Sequence, residues 1–140
     1  MTVQEIVADN HYMVLATADA AGRPWSTPVW FATEDHRRFY WVSKPGARHS
    51  RNVAERPEIG IAIFDSTVTP GDAQALYMAA TAEQVGADEI GVFARVSAKQ
   101  GLSAWTAAEV TDPARHRLYR ATATEHYLLD AHDERVPQAV

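Results

Sequence analysis

The sequence predicts a mainly β domain, a barrel or sandwich with a few small helices attached, and three observations predict it. Six segments read as strands, joined by short connections that carry Gly, Pro, Asn and Asp turn signals. The helical segments do not alternate with the strands in the way that a parallel sheet requires. A chain of 140 residues, 46% hydrophobic and 22% charged, has the size and composition of one globular domain with one core.

The elements follow in order. Thr2 to Asn10 reads as a short helix, because Thr2 and Glu5 have capping-box spacing and Val3, Ile6 and Val7 share a face. Tyr12–Thr17 is the first strand, ended by the turn residues Asp19 to Gly22, and Trp25–Thr33 is the second. Phe39–Val42 is the third, after a turn at Glu34-Asp35-His36, so two hairpins are expected to follow the opening helix. Lys44-Pro45-Gly46 breaks the extended pattern, and Ala47–Arg56 reads as a polar helix with Val53 facing inward and Pro57 ending it. Glu58–Phe64 is a fourth strand, and Ala75–Val85 a fifth beyond the turn Thr69-Pro70-Gly71-Asp72. Asp88–Gln100 reads as a helix with Ile90, Phe93 and Val96 on one side, and Asp112-Pro113 as the start of another. Tyr119–Leu129 is the last strand, and residues 131–140 form a polar C-terminal tail expected to be mobile.

Composition excludes several chemistries. With 0 cysteines there is no disulfide, thiolate nucleophile, iron–sulfur cluster or cysteine-ligated zinc. A net charge of −5 opposes broad nucleic-acid binding, which needs a positive field. No apolar run is long enough for a membrane span, and Met1 to Glu5 lack a secretory pattern, so a cytoplasmic protein without membrane or nucleic-acid partners is expected. The six histidines form neither an HxH nor an HExxH spacing, so no metal site is expected. Ser103, in Gly101-Leu102-Ser103-Ala104-Trp105, lacks the second glycine of a nucleophile elbow, and no glycine-rich phosphate loop is present.

Positive charge nevertheless gathers in one place. Of 13 Lys and Arg residues, six lie between positions 37 and 56 (Arg37, Arg38, Lys44, Arg48, Arg51 and Arg56), with Glu55 the one acid among them. Ser43 and Lys44 fall where the third strand ends, and Arg48 and His49 open the helix behind it. Free N–H groups at a helix start favour an anion, and Arg48 adds a planar fork that fits phosphate oxygens. The plainer reading is a solvated basic face paired with Glu55. Trp25, Trp30 and Trp41 sit on the strands around this segment, which suits a ligand with a flat ring and a phosphate.

Thr27-Pro28-Val29-Trp30, Phe39-Tyr40-Trp41-Val42-Ser43, Arg48-His49 through Asn52-Val53, and Arg56-Pro57 together resemble the pyridoxamine 5′-phosphate oxidase-like family. The resemblance implies a six-stranded antiparallel split β-barrel, homodimeric, with residues 1–130 as a single FMN-binding domain. It also implies a flavin between subunits and a small conjugated or aromatic substrate that exchanges a hydride with it. By position, Thr27, Pro28, Val29 and Trp30 border the isoalloxazine, and Val42 and Ser43 lie between ring and phosphate. Arg48 binds the phosphate with Lys44 nearby, His49 takes the place of a second basic residue, and Gln74 reaches the flavin, often from the partner. True pyridoxamine-phosphate oxidases have Arg where Thr27 stands, Lys where Ala32 stands, and a longer C-terminal segment, so vitamin B6 oxidation is not implied. A deazaflavin reductase, a non-catalytic flavin-binding module, and a haem-handling relative with His49 or His126 as ligand are the alternatives. No side chain stands out as an acid or base; Tyr77, His126 and Tyr127 read as packing or surface residues.

Overall fold

A computed structural model describes residues 1–140. The order is α1 (Val3–Asp9), β1 (Tyr12–Ala18), β2 (Pro24–Trp30), β3 (Arg38–Ser43), α2 (Arg48–Glu55), β4 (Glu58–Phe64), β5 (Ala75–Val85), α3 (Gly91–Lys99), β6 (Arg117–Leu129) and β7 (Arg135–Gln138). All strand pairings are antiparallel, in the order β2-β1-β4-β5-β6-β3, with β7 added to β6 outside that path. The two ends of the path, β2 and β3, meet through one bridge, Ala32 to Tyr40. The result is a barrel split along one seam.

Alternation along the strands fills the barrel. Met13, Leu15, Phe39, Trp41, Ile63 and Leu76 are buried together, and Val3, Ile6 and Val7 of α1 pack against the same cluster. Thr2 and Glu5 close the expected capping box on α1. The outer face of the seam carries a second, smaller core in which Ala32, Tyr40, Phe93, Val110 and Leu118 are buried, with Trp30, Val42 and Trp105 against them.

The structure departs from the sequence reading at four places. The second expected hairpin is reduced to the Ala32–Tyr40 bridge, because β3 pairs along its length with β6 instead. The helix expected over Asp88–Gln100 is divided into a 3-10 turn at Ala87–Glu89 and α3 from Gly91. No helix begins at Asp112-Pro113; the helical turn lies earlier, at Ala107–Val110, where Thr106 and Glu109 make a capping box. The expected tail contains a seventh strand, because Asp130 accepts the N–H groups of His132 and Glu134 and folds the chain into a hairpin. That turn returns Val136 opposite Leu128.

The β2–β3 connection is held by charge. His36, at φ 58°, occupies the left-handed region, and its N–H donates to Thr33 Oγ1 at 3.1 Å. Burial pushes the Asp35 carboxyl up, but the N–H groups of Arg38 and Arg37 and the Arg38 guanidinium outweigh it and bring the carboxyl down to about 2. A carboxyl lowered by folding stabilises the fold above its unfolded value, and that stability disappears as pH falls through about 2. Asp35→Ala therefore lowers unfolding free energy by about 1 kcal/mol at neutral pH, the partly exposed pair being screened. In urea titrations the difference from wild type shrinks below pH 4 and vanishes near the bottom of that range.

Candidate functional site at the barrel seam

Backbone alternation decides what the seam exposes. Phe31 N–H donates to His11 O at 3.2 Å, whereas Ala32 and Tyr40 exchange both of their backbone bonds across the seam, at 2.9 and 2.8 Å. Odd residues of β2 therefore bond to β1, and even residues turn their N–H and C=O groups toward β3. The same parity holds on β3, where Ala123 N–H donates to Arg37 O at 2.7 Å and Tyr40 faces β2. Beyond the bridge the two strands do not pair, so the backbone groups of Pro28, Trp30 and Val42 face an open gap. Pro24 and Pro28 fall in the even positions and bring no N–H to that edge, which keeps the strands from zipping further.

A cleft of about 490 Å³ lies over this gap. Pro28, Val29, Trp30, Val42, Ser43 and His49, with Tyr12 beside Trp30 on the neighbouring strand, form one side; Phe93, Leu102, Trp105 and His116 form the other. Three rings stand in a perpendicular row: Trp30 to Phe93 with centroids 4.8 Å apart at 84°, and Phe93 to Trp105 at 5.5 Å and 83°. The Trp30 indole is fixed by its N–H donating to Gln100 Oε1 at 3.0 Å.

At the cleft's polar end Ser43 Oγ lies 2.8 Å from His49 Nε2. Burial holds the His49 imidazole below its ordinary range, so it is neutral at pH 7 and shares one hydrogen bond with the Ser43 hydroxyl. His49 opens α2, whose N-cap, Ala47, has no side-chain cap. The first helical bond runs from Arg51 N–H to Ala47 O at 3.0 Å, which leaves the N–H groups of Arg48, His49 and Ser50 free for an anion. The helix is tied to the sheet by buried Asn52, which donates to Thr17 Oγ1 at 3.1 Å, and by Thr17, which donates to Trp25 O.

The basic residues divide. Arg38 pairs with Asp35, Arg37 donates to the Val140 carbonyl oxygen, Arg51 to Gly46 O and Arg56 to Ala20 O. Arg48 stacks over the Trp25 ring at 4.3 Å, and neither it nor Lys44, Arg51 or Arg56 forms an ion pair with a carboxylate. Glu55 shares a polar depression with Arg48 and Arg51 but does not neutralise them. Because successive helix residues diverge by about 100°, Arg48 lines that depression while its neighbour His49 lines the cleft.

Of the residues singled out by sequence, six thus meet at one cleft. Thr27 is half-buried in β2 and does not line the cleft, Lys44 is exposed in the turn before α2, and Arg48 lies beside the cleft rather than in it. Gln74 does not line the cleft; it lies in a separate depression with Leu128 and Gln138. Trp41 turns into the barrel and stacks on Tyr119 at 5.6 Å, so it is core rather than cleft. His126 is buried with its Nε2–H donating to His36 O at 2.7 Å, Tyr127 donates to Glu125, and Tyr77 lies under Arg135; none of them lines the cleft. Sequence reasoning missed Tyr12, Phe93, Leu102, Trp105 and His116 as cleft residues. Only Trp105 carried a local signal, as a tryptophan outside any strand.

Since His49 is neutral in the fold and protonates more readily when unfolded, its burial costs stability on acidification. The loss sets in as pH falls below the ordinary imidazole value of about 6.5 and levels off below the folded value. His49→Gln keeps a partner for Ser43, and its urea midpoint falls less than that of wild type between pH 7.5 and 5.5.

A family model described as pyridoxamine 5′-phosphate oxidase matches residues 2–130. Among solved structures, the haem storage protein HutZ of Vibrio cholerae is similar at 23% identity, with TM-score 0.71 over 90% of this chain and 89% of that one. A haem-binding protein from Mycobacterium smegmatis is 20% identical, with TM-score 0.71 over 98% of this chain and 56% of that one. An F420 reductase is 19% identical, with TM-score 0.60 over 82% of this chain and 87% of that one. These identities establish a shared fold. No curated protein matches the sequence. With the split barrel, its strand order and a match over nearly its whole length, the chain belongs to the pyridoxamine 5′-phosphate oxidase family.

Proposed function

We propose that the protein binds FMN along the β2–β3 seam and is a flavin-dependent oxidoreductase for a small conjugated substrate. The observation that carries this reading is the row of unpaired backbone groups at Pro28, Trp30 and Val42 beneath an aromatic cleft. The pyrimidine edge of an isoalloxazine offers an N–H between two carbonyl oxygens, the complement of a strand edge. A haem edge carries methyl and vinyl groups that would leave those backbone groups unsatisfied.

The residues divide the work. The seam orients the ring edge, and Trp30 and Phe93 exclude water from it. The uncapped start of α2 receives the phosphate, and Arg48, held only by the Trp25 ring, turns to grip it. Bound flavin supplies two-electron redox chemistry, and the chain supplies position and electrostatics. In this reading residues 1–130 form the flavin-binding domain. Gln74 lies away from the cleft of its own protomer, so its contact with flavin comes from the second subunit of a homodimer. The missing Arg and Lys at Thr27 and Ala32 argue against vitamin B6 oxidation; Ala32 is wholly buried in the bridge across the seam.

A deazaflavin presents the same pyrimidine edge, so competition between FMN and F420 for the apoprotein decides the cofactor. A haem reading is favoured by one observation, the presence of His49 and His116 in the same cleft. Haemin titration separates it: histidine ligation gives a Soret band that changes in His49→Ala or His116→Ala. Steady turnover of nicotinamide donor and acceptor distinguishes the oxidoreductase from a flavin-binding module. No helix is long and apolar enough to cross a membrane.

Two outcomes follow for the purified protein. Added FMN develops resolved flavin absorption bands and raises the melting temperature; a protein unresponsive to FMN overturns the reading. Arg48→Ala weakens FMN by roughly tenfold to over a hundredfold, the equivalent of about 1.5–3 kcal/mol for a charge-assisted hydrogen bond. Riboflavin, which has no phosphate, loses little, as isothermal titration calorimetry will show.

A further inference from the structure

The seam and Phe93 account for the flavin's part of the cleft and leave Leu102, Trp105 and His116 without a role. Their side is built rather than loose. Trp105 packs edge-on against Phe93, Val110 is buried in the second core, and Thr106 and Glu109 cap the turn between them. The Arg117 guanidinium donates to the carbonyl oxygens of Ala114 and His116, both at 2.7 Å, and so fixes the backbone that carries the His116 ring. Leu102 lines the cleft while 53% exposed, and its backbone N–H donates to Ser97 O at 3.0 Å, which ties it to the end of α3.

We infer that Leu102, Trp105 and His116 form a second seat in the cleft, for a flat, uncharged, conjugated molecule with a carbonyl oxygen at one edge, a quinone in chemical class. The inference rests on the flavin reading for the reaction it serves, but the seat itself is a property of these residues. Its shape follows from the perpendicular ring row, which presents ring edge and face to an inserted plane. Its polarity follows from the lining: on this side the His116 imidazole and the Trp105 indole N–H are the polar side-chain groups, and Leu102 and Phe93 are apolar. His116 donates a hydrogen bond to the carbonyl oxygen, and Leu102 covers the apolar side of the ring. His116 thereby sets the preference for an oxygenated ring over a bare hydrocarbon.

Calorimetric titration of the FMN-loaded protein tests this with two probes of one skeleton, menadione and 2-methylnaphthalene. The chain has 0 cysteines, so the quinone forms no thiol adduct. Leu102→Ala weakens both probes by roughly three- to tenfold, since it removes apolar contact from each. His116→Phe, which keeps a ring in place, weakens menadione by roughly three- to tenfold and leaves 2-methylnaphthalene unchanged. FMN affinity is measured for each variant, and the probes are compared at saturating FMN. Menadione binding that is unaltered in both variants places the seat elsewhere and overturns the inference. So does an equal loss of both probes in His116→Phe, which reduces His116 to packing. If the apoprotein shows this pattern with the probes yet never binds FMN, the seat stands and the flavin reading fails.

Discussion

The seam between β2 and β3 is a constraint from which the rest of the site follows. A barrel of six strands closes when its first and last strands pair, and here they pair at a single bridge, Ala32 to Tyr40. Two prolines in β2 supply no donor on the side that would extend the pairing. Pro45 and Gly46 turn the chain away after β3, and α2 follows with its uncapped N-terminus near that turn. An open strand edge at a protein's surface invites a partner that satisfies it. In the flavin reading proposed above, a flat ligand with a peptide-like edge would take that place.

The helix α2 is the second organising element, because its faces do different work. Val53 packs into the barrel and Asn52 ties to Thr17, which sets the helix at a fixed height against β1 and β2. His49 faces the cleft and holds Ser43, while Arg48 and Arg51 line the neighbouring depression without a carboxylate partner. Charge is thus placed beside the cleft instead of within it. The cleft remains apolar enough for a ring, and its polar end can still reach an anion.

Much of this was legible in the sequence, and the limits were physical. β4 and β5 match the predicted spans because their apolar alternation is bounded by clear turn residues. Pro28, Val29, Trp30, Val42, Ser43 and His49 come together as their order along the chain suggests. Local pattern could not say that β3 prefers β6 to β2, since pairing partners are chosen by the whole barrel. Nor could it separate Arg48 from His49, neighbours in sequence that helical rotation sends to different surfaces. The second wall was hidden because Phe93 read as an inward helix residue and His116 as a lone histidine; only the tertiary fold brings them opposite the seam. The strand in residues 131–140 was missed because Asp130 and Asp133 look like solvated charge and act as turn formers.

Two backbone amides, those of Trp30 and Val42, face the gap that a flavin edge would fill. Hydrogen exchange followed by ¹⁵N NMR reads them directly, with and without FMN. The amides of Trp30 and Val42 exchange quickly in the free protein, because no strand covers them, and become protected by at least about tenfold once FMN is bound. Protection that leaves both unchanged, and appears instead around Gln74 and Gln138, would contradict the account.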